Sequence, residues 1–117
     1  MDDFRALALS QPEAIEQDHF GSPSFRVQGK IFAQLSADGN EALVKLPINV
    51  QGSVLAAYPN DSWPEKHWGK HGWTRIRWRR LPREIVFDLV TRSWRAVAPR
   101  KPQSVFARSP LRVDSSS

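Results

Sequence analysis

Strict alternation of side-chain character over residues 73–80, Trp-Thr-Arg-Ile-Arg-Trp-Arg-Arg, constrains this chain more than any other feature. In an extended chain, successive side chains point to opposite faces, so the threonine, the isoleucine and the second tryptophan share one side. A period of two predicts a strand with one buried face and one solvated face, because a helix would scatter the same arginines around its axis. The predicted solvated row consists of Trp73, Arg75, Arg77 and Arg79.

The charge of the chain is distributed unevenly between its two halves. The 117 residues carry 17 basic and 12 acidic side chains, a net charge of +5. Residues 1–62 hold four basic and eight acidic side chains, whereas residues 63–117 hold thirteen basic and four acidic. A basic half favours an anionic partner such as nucleic acid. The competing interpretation is that the arginines only solvate strand and helix surfaces.

Length and composition exclude several classes of protein. A chain of 117 residues is predicted to form one domain with a modest core. There is no cysteine, so disulfide frameworks and thiolate sites are excluded. No apolar run approaches the length of a membrane span, and the Met-Asp-Asp start lacks the pattern of a secretory signal. We therefore expect a soluble cytoplasmic protein.

The remaining periodicities predict three helices and three further strands, with loops between them. Apolar residues at helical spacing, bounded by proline, predict helices over residues 2–10, 48–58 and 82–98. Alternation bounded by glycine and Asp-Gly turns predicts strands over residues 24–28, 30–35 and 42–46. Residues 12–23 and 58–72 are predicted to be irregular.

The resulting order, α-β-β-β-α-β-α, predicts a two-layer α+β domain in which helices cover one face of an antiparallel sheet. We assign residues 1–98 to this domain. Residues 99–117 are rich in proline and serine, and we expect a disordered or loosely docked tail there.

Three segments resemble the bacterial MmcQ/YjbR family. They are GSPSFRVQGKIFAQL at 21–35, WGKHGWTRI at 68–76, and the end of the last helix at 94–99. The resemblance covers residues 4–98 and implies a CyaY-like fold, similar to that of bacterial frataxin. It also implies DNA binding, which the family is assigned because of its double wing, and it supplies no catalytic residues. The basic strand and the tail depart from the shortest members of the family.

The sequence offers no metal site and no catalytic motif. His67 and His71 are four residues apart, but Gly69 and Gly72 disfavour the helix that would bring them together around a metal. We interpret both histidines as structural. The alternative for the second is that His71, Trp68 and Trp73 line a small pocket or stack on a base. No GxSxG, P-loop or GxGxxG pattern is present, so we expect neither an enzyme nor a bound cofactor.

Nucleic-acid binding by the solvated sheet face has the strongest physical basis. Guanidinium groups bind phosphate through paired hydrogen bonds, and aromatic rings stack on bases. No helix-turn-helix, zinc-finger or RNP-type sequence is present, so we expect DNA or RNA to be bound without sequence preference. The alternative is a non-catalytic module that binds an acidic protein. The predicted site residues are Arg26, Lys30, Lys45, Lys70, Trp73, Arg75, Arg77 and Arg79, with Phe32 as a second exposed aromatic.

Overall fold

The computed structural model describes residues 2–99, within which three helices pack on a six-stranded antiparallel sheet. The helices are α1 (Asp2–Leu9), α2 (Ile48–Ala57) and α3 (Arg83–Val97). The strands are β1 (Ala14–His19), β2 (Ser22–Val27), β3 (Lys30–Leu35), β4 (Ala42–Lys45), β5 (Ser62–Pro64) and β6 (Trp73–Ile76). Two short 3-10 turns flank β6, at Gly69–His71 and Trp78–Arg80. The predicted α+β architecture is confirmed.

The strands lie in the order β1-β2-β3-β4-β6-β5. None of the helices within residues 2–99 is long and apolar enough to cross a membrane. The tail was predicted over residues 99–117, and all of it after Pro99 lies outside the described residues. The expectation that it is disordered or loosely docked therefore stays a prediction.

One face of the sheet forms the core with the helices. Phe25, Val44 and Ile76 are completely buried, on three different strands. Val44 lies opposite Ala33 on β3 and Thr74 on β6, and residues opposite each other in a ladder share a face. Full burial of a side chain such as Phe or Ile stabilises the fold by about 1.5–3 kcal/mol relative to exposure.

All three helices cover this same face. The Phe4 ring of α1 lies 5.9 Å from the ring of Phe25. Ser93 of α3 donates a hydrogen bond to the carbonyl oxygen of Phe32, and Gln51 of α2 donates one to Oγ1 of Thr74. The other face of the sheet carries no helix from residues 2–99, and we call it the outer face.

Two strands were not predicted from the sequence. In β1, Ile15 is the only large apolar side chain, and the strand lies at the edge of the sheet, so it needs little apolar surface. The strand β5 has only three residues. Both were assigned to loops because neither is long enough or apolar enough to show a period of two.

The basic strand is shorter than predicted. It ends at Ile76, and Trp78–Arg80 form a 3-10 turn, so the prediction of a strand over 73–80 is wrong for its last part. Trp78 is nevertheless buried, and its Nε1 donates a hydrogen bond to the carbonyl oxygen of Gly39 at 2.9 Å. The prediction that Trp78 is buried is thus confirmed, although a turn and not a strand places its indole in the core.

Phe32 does not belong to the exposed aromatics, contrary to prediction. The register changes from Phe25 opposite Ala33 to Arg26 opposite Ile31, which leaves Phe32 as the extra residue of a β-bulge. Because of the bulge, Phe32 and Ala33 are both buried in the core.

Candidate nucleic-acid interface

The outer face presents two rows of half-buried side chains. In the first row, Gln34, Leu43, Arg75 and Trp63 lie opposite one another across four strands. In the second, Lys45 lies opposite Trp73, with Arg26 opposite Ile31 further along the sheet. Strand alternation places them here, because their neighbours in sequence are the buried core residues.

A loop between β5 and β6, residues 65–72, carries Trp68 beside this face. Gly72 has a φ of +97°, and a Cβ added there would lie 2.0 Å from the carbonyl oxygen of Leu46. Only glycine adopts this conformation at such close approach without strain. The carbonyl oxygen of Gly72 in turn accepts a hydrogen bond from the amide of Leu46 at 2.9 Å. This contact holds the loop against the end of β4.

Gln51 holds the same loop from the side of α2. Its side chain is buried, and Nε2 lies 3.0 Å from both the carbonyl oxygen of Gly69 and Oγ1 of Thr74. A buried amide that is satisfied in this way stabilises one arrangement of the loop, because any other would leave the amide unpaired.

Glu65 organises the loop from its first residue. One carboxylate oxygen accepts a hydrogen bond from the amide of His67, and the other accepts one from Arg75, both at 3.1 Å. The backbone N–H of His67, followed by the guanidinium of Arg75, lowers the pKa of Glu65 below its ordinary value. The Glu65 carbonyl also accepts the amide of Gly69 at 2.9 Å.

The result is an exposed indole on a well-supported loop. Trp68 is 58 % exposed, although the residues on either side of it make the hydrogen bonds described above. Its ring lies 6.3 Å from the ring of His71. A groove of about 350 Å³ opens between this loop and the sheet, lined by Ile31, Gln34, Leu43, Trp68 and Trp73.

The arginine row is largely neutralised by carboxylates. Arg75 lies 3.1 Å from Glu65 and 3.8 Å from Glu41. Arg77 lies 3.8 Å from Asp61. These pairs reduce the charge available to an anionic ligand.

Two arginines of the predicted row also stack on tryptophans. The guanidinium of Arg77 lies 5.2 Å from the centre of the Trp63 ring. The guanidinium of Arg79 lies 4.7 Å from the centre of the Trp78 ring and bonds to the Asn40 side chain. Alternation along the strand could not reveal Trp63 and Asn40, which come from other parts of the chain, and it placed Trp78 and Arg79 on opposite faces.

Three other cations keep their charge uncompensated. Arg26, Lys45 and Lys70 have no carboxylate partner in an ion pair within the described part of the chain. Arg26 contacts only neutral acceptors, Oγ of Ser24 at 3.2 Å and Nδ1 of His19 at 3.3 Å. These three residues therefore contribute positive charge that no carboxylate of residues 2–99 offsets.

The structure brings some of the predicted site residues together and separates others. Arg26, Lys45, Trp73 and Arg75 share the outer face, with Lys70 two residues after Trp68 and Arg77 at the end of β6. Lys30 lies opposite Val27, whose side chain is in the core, so Lys30 leaves the sheet on the helix side. Arg79 lies in the 3-10 turn beyond β6, away from the groove.

Three residues of the groove were not predicted, Gln34, Leu43 and Ile31, whereas Trp68 was predicted to line a pocket only as the alternative to a structural role. Gln34 and Leu43 follow from alternation once the core residues Ala33 and Val44 are known, so a signal for them existed. The place of Trp68 depends on contacts between distant segments and has no local signal. Both histidines of the loop are exposed, and no three His, Asp or Glu side chains among residues 2–99 are arranged to hold a metal ion.

These features define a small two-layer α+β protein with one open sheet face that carries cations and indoles. A model of the YjbR family matches residues 9–96, and the chain therefore belongs to the YjbR family. The crystal structure of the Deinococcus radiodurans protein DR2400, which contains domain DUF419, is similar, with a TM-score of 0.76. It is 19 % identical, and the match covers 93 % of this chain and 94 % of that one, which shows a shared fold. No curated protein matches the chain.

Proposed function

We propose that this protein binds nucleic acid without sequence preference through the outer face of its sheet. The observation that supports the proposal is the combination of Arg26, Lys45 and Lys70, which have no carboxylate partner within the part of the chain that the structure describes, with the indoles of Trp68 and Trp73. Cations that lack an internal partner can bind phosphate without first breaking an ion pair. Aromatic rings on an open sheet are the usual platform for unpaired bases.

The strength of binding should depend strongly on salt. Neutralising phosphates with three cations releases counterions, so the logarithm of affinity should fall with the logarithm of salt with a slope of about −2 for single strands. Contacts to phosphate carry no sequence information, so oligonucleotides of different sequence should bind alike. An acidic protein partner would bind the same cations through carboxylates and not through phosphates.

A pair of double variants tests which surface binds. In fluorescence anisotropy at low salt, Arg26→Gln with Lys45→Gln should weaken binding of every oligonucleotide and reduce the salt slope by about 1.4–1.8. The matched control is Arg92→Gln with Arg95→Gln, which removes the same charge from the exposed side of α3. The control should leave the slope unchanged.

Two outcomes would contradict the proposal. If the wild-type protein binds no oligonucleotide at low salt, the outer face has another partner, and an acidic protein becomes the favoured one. If the two double variants weaken binding equally, the interaction is a diffuse effect of net charge and the outer face has no special role.

A further inference from the structure

Building on the proposed function, we infer that the groove between Trp68 and Trp73 receives one unstacked nucleobase. The protein would then bind single strands in preference to duplexes. Contact with phosphate alone would leave the groove without a ligand, and the inference assigns a nucleobase to it.

The lining of the groove matches the chemistry of a base. A base is a flat aromatic ring with hydrogen-bonding groups along its edge. The groove offers two indoles and the aliphatic side chains of Ile31 and Leu43 for the ring. Its volume of about 350 Å³ lies at the lower end of the range for small-ligand pockets, about 300–1,000 Å³.

Gln34 supplies the polar group that the edge of a base needs. Its side chain makes no hydrogen bond within residues 2–99, although the residue is half-buried in the floor of the groove. An amide has both donors and an acceptor, so it can turn to pair with any of the bases. The groove therefore recognises a base as a class and does not select one base over another.

The supporting contacts explain why Trp68 suits this role. Gly72, Gln51 and Glu65 hold the loop in place with no contribution from the indole itself. A ligand that meets a preformed aromatic wall does not have to order that wall, and this ordering is a large part of the free-energy cost of binding.

The surrounding charges fit a strand on either side of the inserted base. Lys45 lies opposite Trp73, and Lys70 lies in the 3-10 turn that begins after Trp68, so the segments that carry the two indoles also carry cations. The nearby carboxylate of Glu65 is held by Arg75. In a duplex, a base reaches such a groove only after leaving its stack and its partner, at a cost of a few kcal/mol. Single strands avoid most of that cost.

The experiment compares probes of equal charge. Oligo(dT) of about 16 nucleotides, near the largest site size of a single-strand-binding domain, is compared with an abasic deoxyribose-phosphate strand of the same length. Wild-type protein should bind oligo(dT) about 5- to 150-fold more tightly, since stacking contributes about 1–3 kcal/mol per base. Trp68→Ala should remove most of this preference and leave binding of the abasic strand unchanged, whereas Trp68→Phe should keep much of it. Since Trp68 is largely exposed, its loss should not unfold the protein.

A control variant and a third probe separate the outcomes. Phe87 is an exposed aromatic on α3, and Phe87→Ala should bind both strands as the wild type does. If the wild type and Trp68→Ala bind both strands equally well, the proposed function stands and the base groove is wrong. If neither strand binds, the proposed function fails, and thymidine monophosphate then tests the groove alone. Quenching of wild-type fluorescence, absent in Trp68→Ala, would support the groove, and no quenching would overturn it.

Discussion

The two faces of the sheet are built from alternate residues of the same strands, yet they are used in different ways. On the core face, three helices bury side chains such as Phe25 and Val44 completely. On the outer face, the next residues along, Arg26 and Lys45, are only half-buried and have no carboxylate partner among the described residues 2–99. In the proposed function, stability and nucleic-acid binding thus depend on opposite sides of one backbone. Substitutions at adjacent positions should therefore affect different properties.

The largest effect should come from the core face. Phe25→Ala should lower the free energy of unfolding by about 3–5 kcal/mol, because it leaves a cavity where a large aromatic ring was fully buried. Its neighbour Arg26→Gln should change stability by no more than about 0.5 kcal/mol. Urea denaturation of both variants measures the difference. Similar losses would show that the outer face is also needed for folding.

Gly72 is the last residue of the loop 65–72 and contacts the buried Leu46. Its replacement should have the next largest effect on stability. In Gly72→Ala, the added Cβ meets the carbonyl oxygen of Leu46, and the residue must keep a positive φ. We expect a loss of about 1–3 kcal/mol from backbone strain alone. If the loop instead shifts to relieve the strain, stability should be kept and binding of oligo(dT) lost. An unchanged stability with unchanged binding would show that the loop is not held at this point.

Glu65 gives a pH-dependent test of the same loop. Its pKa is lowered in the folded state by the amide of His67 and by Arg75, so its contribution is present above its ordinary value of 4.5. The contribution is lost as pH falls through the folded-state pKa. Glu65→Gln should therefore reduce stability at neutral pH by about 1–2 kcal/mol, as expected for hydrogen bonds to a charged group. Denaturation at several pH values should show that the difference in free energy of unfolding between Glu65→Gln and the wild type becomes smaller as the pH falls. If this difference in stability stays constant with pH, the charge of the Glu65 carboxylate is not its cause.

The sequence predicted the core face far better than the outer face. Burial of Ile76 follows from a local period of two, and the helix α3 follows from a period of 3.6, which a single segment displays. Burial of Trp78 was also predicted, but a 3-10 turn produces it and not the strand. The neutralisation of Arg75 depends on Glu41 and Glu65, and the place of Trp68 depends on Leu46 and Gln51.

Such contacts join distant parts of the chain, so no window of sequence contains them. The edge strand β1 was missed for a related reason. The turn that joins β1 to β2 takes its form from two residues with positive φ, Phe20 and Gly21, and phenylalanine gives no local signal for such a turn.

The smallest expected effect concerns Phe20, and it tests whether exposure alone makes a binding surface. Phe20 is 96 % exposed at the tip of the β1–β2 hairpin, more than Trp68. Asp18 of β1 accepts a hydrogen bond from the amide of Gly21 and has no cationic partner among residues 2–99, so phosphate should be repelled at this tip. Phe20 also has a φ of 53°, which asparagine tolerates better than phenylalanine does.

We therefore expect Phe20→Asn to raise the free energy of unfolding by about 0.5–1 kcal/mol. Oligonucleotide affinity should stay at its wild-type value: the ring contacts the His19 ring, at 4.8 Å, and not the groove between Trp68 and Trp73. The two quantities are measured by urea denaturation and by anisotropy on the same preparation. Weaker oligonucleotide binding by Phe20→Asn would mean that the ring takes part in binding, since the variant removes strain and no charge. The binding surface would then extend from the outer face to the tip of the hairpin, and exposed aromatics would matter more than the cations around them.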